Sequence, residues 1–147
     1  MSLKAQLTSD MKDAMRAKER ERLGVVRMLI SAVKSAEIDT KKELTEAEVL
    51  AIVEKQVKQR RESIKQFADG GRDDLVAKEQ AELEFLTPYL PEPLSDAELD
   101  ALIDELIKST GATSVKDMGK VMGQLKARAQ GRVDLGAAGG RIKARLG

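Results

Sequence analysis

Leu86-Thr87-Pro88-Tyr89-Leu90-Pro91-Glu92-Pro93-Leu94-Ser95 is the stretch that decides how this chain folds. Three prolines in six residues remove amide donors and forbid a continuous helix. On both sides of them the apolar residues recur at helical spacing. The stretch therefore reads as the boundary between an N-terminal helical domain, 1–90, and a small C-terminal helical domain, 91–147. Upstream, Leu3, Leu7, Met11, Ala14 and Met15 form one stripe. The run from Ala17 to Arg22, AKERER, interrupts the pattern and predicts a turn. Leu23, Val26, Ile30 and Val33 follow, with Val25, Met28, Leu29 and Ala32 beside them. This second helix is apolar over most of its circumference, so it is expected to be the central, most buried one. Thr45-Glu46-Ala47-Glu48 reads as a capping box, ahead of a stripe of Val49, Ile52, Val53, Val57, Ile64 and Phe67. Gly70-Gly71 gives a helix stop. A fourth helix begins near Asp73 or Asp74 and carries Leu75, Val76, Leu83 and Leu86.

Downstream, Ser95-Asp96-Ala97-Glu98 is a second capping box, followed by Leu99, Leu102, Ile103, Leu106 and Ile107. Thr113 or Ser114 is expected to cap the next helix, and Asp134 the last. The expected fold is all-α: an N-terminal four-helix bundle-like domain, then a small three-helix domain. Neither a strand signal of length nor an internal repeat is present.

Composition narrows the chemistry. Aromatic residues are 2% of the 147, so the core must be Leu, Ile, Val, Ala and Met, which suits helix packing. With no cysteine and no histidine there are no disulfides, thiolate sites, cysteine nucleophiles or histidine bases. Lack of cysteine fits a reducing, cytoplasmic setting. The N-terminal MSLKAQLTSDMKDAM lacks the apolar core of a signal peptide. No apolar run approaches the ~20 residues that span a bilayer, so no membrane partner is expected. Trp is absent, and Phe67, Phe85 and Tyr89 are the whole aromatic set, too few for base-stacking platforms. Gly131 to Arg141, GRVDLGAAGGR, has glycines but no preceding strand and no GK[ST] ending, so no phosphate loop, cofactor or metal is expected.

Charged residues on apolar stripes need partners, because an unpaired buried charge costs several kcal/mol. Arg27 sits in the second helix, Gln56 and Arg60 on the third stripe and Glu79 on the fourth. A catalytic carboxylate with an arginine clamp is one reading. The other is structural ion pairing among Arg27, Arg60 and Glu79 that fixes helix register. No nucleophile, second carboxylate or ligand set picks out the first, so no catalytic residue is assigned. The Lys58, Arg60, Arg61 and Lys65 run is balanced by Glu54 and Glu62, as on a solvated face.

Charge is segregated toward the C-terminus. From Lys116 to Gly147 eight Lys or Arg stand against Asp117 and Asp134, a net +6, while the whole chain carries +1. Such a segment looks made to meet an anion. On a wheel at 100° per residue, Lys116 to Arg128 divides in two. Met118, Val121, Met122 and Leu125 cluster on one side. Lys116, Gly119, Lys120, Gly123, Lys126 and Ala127 share an adjoining arc of roughly 120°. Glycine costs about 1 kcal/mol in a helix interior, so something must need the two missing side chains. It is either a phosphodiester backbone with lysine counter-charges or another helix at a small-residue crossing. Arg128, Arg132, Arg141, Lys143 and Arg145 extend the basic surface on the first reading; terminal basic residues also suit the last turn of a helix.

Three stretches carry a family resemblance: RMLISAVKSAEI from Arg27, KQVKQRRESIKQFADGGRDDLVAKEQAELEFLTPYLPEPLS from Lys55, and DMGKVMGQLKARAQGRVD from Asp117. The chain resembles the GatB/YqeY family: small bacterial YqeY-like proteins related to the tail of the B subunit of the glutamine-dependent Asp/Glu-tRNA amidotransferase. The resemblance covers nearly the whole length. It implies an all-α protein and a tail that holds tRNA by backbone and shape, with Lys116, Gly119, Lys120, Gly123, Lys126 and Arg132 on the RNA side. It implies tRNA, or a tRNA-charging amidotransferase complex, as partner, and associates the chain with carbon–nitrogen ligase activity that uses glutamine as amido donor. The residues themselves show no Ser–Lys constellation for that chemistry, so a non-catalytic accessory module is expected. The alternative is a protein-interaction module docking a partner helix at Gly119 and Gly123. Gly139-Gly140 departs from the family tail, which usually continues its helix with bulkier residues.

Overall fold

The capping signals set the helix starts. In the computed structural model, which describes residues 2–147, the Thr45 hydroxyl accepts from Glu48 N at 3.2 Å and Glu48 accepts back from Thr45 N at 3.1 Å. Ser95 and Glu98 repeat the exchange at 3.1 and 3.2 Å. Seven α-helices result among the described residues, with no strand: α1 Leu3–Ala17, α2 Arg20–Thr40, α3 Glu46–Asp69, α4 Asp73–Leu86, α5 Asp96–Thr110, α6 Met118–Arg128 and α7 Leu135–Leu146. The all-α expectation holds. Two compact units form, one ending at Leu90 and the other comprising Pro91–Gly147.

The capping glutamates titrate in a defined direction. Glu48 is held below the usual carboxylate range first by the Thr45 N–H and then by the Thr45 hydroxyl; Ser95 acts likewise on Glu98. A carboxylate depressed in the folded state adds stability above its unfolded pKa, near 4.3. That stability is lost as pH falls through the folded value. Thr45→Ala and Ser95→Ala are each expected to lower stability at pH 7 by about 1 kcal/mol. The loss should shrink below pH ~4, read by urea melts at both pH values. A loss that does not change with pH would assign the effect to the hydroxyl alone.

In the first unit α2 packs against α1, α3 and α4, and α3 against α1, α2 and α4, so these two share the centre. The eight apolar residues expected to line α2 are all buried or half-buried. Val25, Val26, Leu29 and Val33 are buried, whereas Gly24 and Arg27 face out and Ile38 is 74% exposed. The main core joins Leu7, Val25, Val26, Leu29, Val53, Val57, Leu86 and Tyr89. A satellite of Val33, Leu44 and Val49 closes the α2–α3 end, with Leu44 contributed by the connecting loop.

The expected turn in AKERER falls at Lys18-Glu19. Lys18, with φ 57°, and Lys41, with φ 56°, end α1 and α2 in the left-handed region. A Cβ is disfavoured there by roughly 1–2 kcal/mol, and glycine avoids that cost. Lys18→Gly and Lys41→Gly are each expected to raise stability by about 0.5–1 kcal/mol, since glycine's larger unfolded-state entropy takes back part of the gain. Thermal melts of the single variants check this.

The proline stretch works differently from a plain linker. Thr87–Tyr89 forms a 3-10 turn with Pro88 early in it, where a missing amide is harmless. Leu86 and Tyr89 are buried in the first core. The Tyr89 hydroxyl donates to Asp10 Oδ2 at 2.6 Å, and Asp10 lies 3.7 Å from Arg22. Burial, then this carboxylate, pushes the Tyr89 phenol up, so it stays a donor. Leu94 belongs instead to the second unit: its N–H donates to the Arg132 carbonyl at 2.8 Å and its side chain packs on that core.

The second core joins Leu99, Ile103 and Leu106 of α5, Val121 and Leu125 of α6, and Ala138 and Ile142 of α7, with Ala112 and Ala129. Asp134 caps α7 by accepting from Gly136 N at 3.0 Å. Despite Gly139-Gly140, α7 is continuous. A Cβ on Gly139 would sit 3.3 Å from Met118 Cε, so this glycine is where α6 and α7 come close.

Candidate nucleic-acid interface

The glycine–lysine segment begins with a turn, not a helix. Val115–Asp117 is a 3-10 turn and α6 starts at Met118, so Lys116 lies just ahead of the helix on which the wheel placed it. The cause is Asp117, whose carboxylate accepts from Thr113 N at 3.0 Å, tightening the chain before α6. That amide, acting first, holds the Asp117 carboxyl below its usual range, and Lys120 adds to the effect. No side chain caps α6: neither Thr113 nor Ser114 does, and the Asp117 carboxylate bonds back to Thr113 N rather than to an amide of α6.

Within α6 the burial follows the wheel. Val121 and Leu125 are buried and Met118 and Met122 half-buried, while Gly119, Lys120, Gly123, Lys126 and Ala127 are exposed. A Cβ built on Gly119 or Gly123 meets nothing within 4 Å. The small-residue crossing within this chain is therefore at Gly139, and the α6 glycines face open space. Lys116, Lys120 and Lys126 form no ion pair among the described residues, leaving three amines without a carboxylate partner around two bare glycine positions. Arg132 is placed elsewhere. Its Nε donates to the Glu92 carbonyl at 2.8 Å, in the turn after α6, because Leu94 and Glu92 run alongside that turn. Through Nε it braces the incoming chain.

The other arginines are also occupied. Arg128 meets Glu105 at 2.9 Å. Arg141 meets Asp96 at 2.9 Å and Asp100 at 2.8 Å; Arg145 meets Asp100 at 3.2 Å and Asp104 at 2.7 Å. Hydrogen bonds from Arg141 and then Arg145 hold the Asp100 carboxyl below its usual range, so this ladder is charged at neutral pH. The basic surface expected from Arg128, Arg141 and Arg145 is thus largely neutralised by α5. Sequence reasoning missed this, although Asp96, Asp100 and Asp104 recur every four residues, which marks one face of a helix.

In the first unit Arg60 Nε lies 3.9 Å from Glu79 and 3.4 Å from Glu82. Its Nη1 donates to Gln56 Oε1 at 2.6 Å and its Nη2 to Met28 Sδ at 3.1 Å. Arg60 therefore ties α2, α3 and α4 together; Glu82, one turn beyond Glu79, was not anticipated. Buried Nε itself has no hydrogen-bond acceptor. Arg27 does not join this cluster. It is exposed and makes no ion pair among the described residues, because Val25, Val26 and Leu29 take the inward positions of α2 and turn position 27 outward. A groove of about 470 Å³ beside Arg60 is lined also by Arg20, Glu21, Met28, Lys78 and Glu82, and no hydroxyl-bearing residue lines it. No metal-binding cluster exists among the described residues, and no helix is long and apolar enough to cross a membrane.

An all-α chain of two compact units with this α6 face matches the YqeY-like protein family over residues 4–146. The chain belongs to that family. It is similar to the fungal proteins named "Altered inheritance of mitochondria protein 41, mitochondrial". Identity is 35% over 130 residues with that of Pyrenophora tritici-repentis, covering 84% of this chain and 71% of the relative. It is 40% over 115 residues with that of Eremothecium gossypii, covering 74% and 63%. With that of Saccharomyces cerevisiae it is 34% over 126 residues, covering 81% and 68%. The chain thus spans about two thirds of the length of these relatives. The bacterial setting expected from the resemblance is corrected by these matches, which are with eukaryotic, mitochondrially named proteins.

Proposed function

We propose that the second unit is a non-catalytic docking module for the phosphodiester backbone of tRNA, and that it serves a tRNA-charging or amidotransferase complex through kinship with the amidotransferase B-subunit tail. The observation that carries this reading is the open space over Gly119 and Gly123 beside three unpaired lysines. Two positions without Cβ atoms, Gly119 and Gly123, let a phosphate approach the backbone between the lysines, and ammonium groups supply counter-charge without base readout. With so few aromatic and planar polar groups at the face, recognition rests on RNA shape. Lys116, Lys120 and Lys126 would each neutralise a phosphate. On this reading the chain works in a compartment that holds tRNA, the cytoplasm or, as the relatives' names say of them, the mitochondrion.

Titration of tRNA into the wild-type chain across salt concentrations tests this. Binding should weaken with a log–log slope of about −2 to −3, the value for three charge contacts. No binding at low salt would remove the proposal. Binding that ignores salt would assign the face to apolar contact, as for a partner helix.

A further inference from the structure

In the second unit arginine and lysine divide the work. Arg128, Arg141 and Arg145 all end on carboxylates of α5, and Arg132 on a backbone carbonyl. Lys116, Lys120, Lys126 and Lys143 form no ion pair among the described residues. Nine basic residues face eight acidic ones from Pro91 to Gly147, and α5, at a net −4, offsets most of the +6 that the C-terminal segment carries. The inward face of α5 is Leu99, Ile103 and Leu106; Asp96, Asp100, Asp104 and Glu105 are outside the core and serve the arginines.

Guanidinium groups bind phosphate oxygens in pairs and would hold almost any polyanion if left open. The Arg141 and Arg145 side chains keep 36% and 31% exposure, so solvent reaches them, yet carboxylates already occupy the positions that phosphates would take. We propose that the acidic face of α5 is an intramolecular mask on the arginines of α7 and on Arg128, which confines polyanion docking to the lysine face of α6. The proposal rests on the reading of that face as a phosphate-docking surface. It adds that the weakness of the contact is built in: the unit holds back its strongest phosphate ligands, so that shape at the lysine face decides what binds.

The test uses the full chain, with heparin as a polyanion without base identity and with tRNA. Asp100→Asn with Asp104→Asn removes two mask charges while keeping side-chain size. Arg145 then loses both its partners while Arg141 keeps Asp96 alone, so the log–log salt slope for heparin should steepen by about 1 and binding tighten about tenfold near 0.05 M salt. Adding Arg141→Gln and Arg145→Gln to the same chain restores the wild-type net charge and should restore the wild-type slope. A wild-type slope in the double variant overturns the mask, as does a steep slope that persists in the quadruple variant. Asp96→Asn, which loosens only Arg141, should give a partial change and covers the case in which the double variant fails to fold. Failure of tRNA to bind while heparin shows these slopes would overturn the tRNA reading and leave the mask standing.

Discussion

Lys116→Glu with Lys120→Glu is expected to weaken tRNA binding at least about 100-fold at low salt. A unit charge pair at 4 Å is worth about 1 kcal/mol in bulk water, and reversal turns that attraction into a repulsion of the same size. Two reversals therefore remove about 4 kcal/mol, reduced by screening toward 3 kcal/mol at moderate ionic strength. The fold should not suffer. Both side chains are exposed, and position 120 lies in the first turn of α6, where a carboxylate suits the helix dipole better than an amine. Filter binding on the variant, with helical content as the control, checks the result. Wild-type affinity in a folded variant would exclude Lys116 and Lys120 from the contact.

The second large effect runs in opposite directions for stability and binding. Gly123 lies inside α6 and Gly119 in its first turn. Nothing stands within 4 Å of a Cβ at either position, so alanine fits. Gly123→Ala should stabilise the second unit by about 1 kcal/mol, and Gly119→Ala by less, since first-turn residues gain less from helix propensity. Gly119→Leu with Gly123→Leu should keep the fold yet cut tRNA affinity by tenfold or more, because bulky side chains hold a phosphate away from the helix backbone. Gly139→Leu is the contrast. There the position is buried and a Cβ already meets the end of the Met118 side chain at 3.3 Å, so a leucine should overpack at a cost of about 1–3 kcal/mol. Urea melts and tRNA titrations of the three sets separate the effects. A partner helix in place of RNA would reveal itself if the leucine pair abolished protein association while the lysine reversals left it intact.

The helices were legible because their start signals are local. Thr45/Glu48 and Ser95/Glu98 are read within four residues, and they form as read. Asp134 is equally local. The turn before α6 was misread because a carboxylate at 117 captured Thr113 N, a competition that hydroxyl-based cap rules do not anticipate. On α2 all eight apolar residues named from the periodicity are buried or half-buried: periodicity marks which residues are able to face a core, and the positions of α1, α3 and α4 decide how deeply each one does. At the candidate site, the sequence separated the glycine–lysine arc from the apolar side of α6. It could not show that Gly119 and Gly123 are open while Gly139 is closed, since that depends on where α7 lies. Nor could it show that the +6 segment is largely answered by α5, because charge counted along a chain ignores pairs some forty residues apart.

The division between bonded arginines and unpaired lysines has a chemical consequence. Acetylation removes the charge of an amine and leaves a guanidinium untouched. Acylating Lys116, Lys120 and Lys126 would erase the open charge of α6 and of the turn before it, while Arg128, Arg132, Arg141 and Arg145 went on bracing the unit. The unit is thus built so that a modifying enzyme, or a reactive acyl donor, could silence its surface without unfolding it.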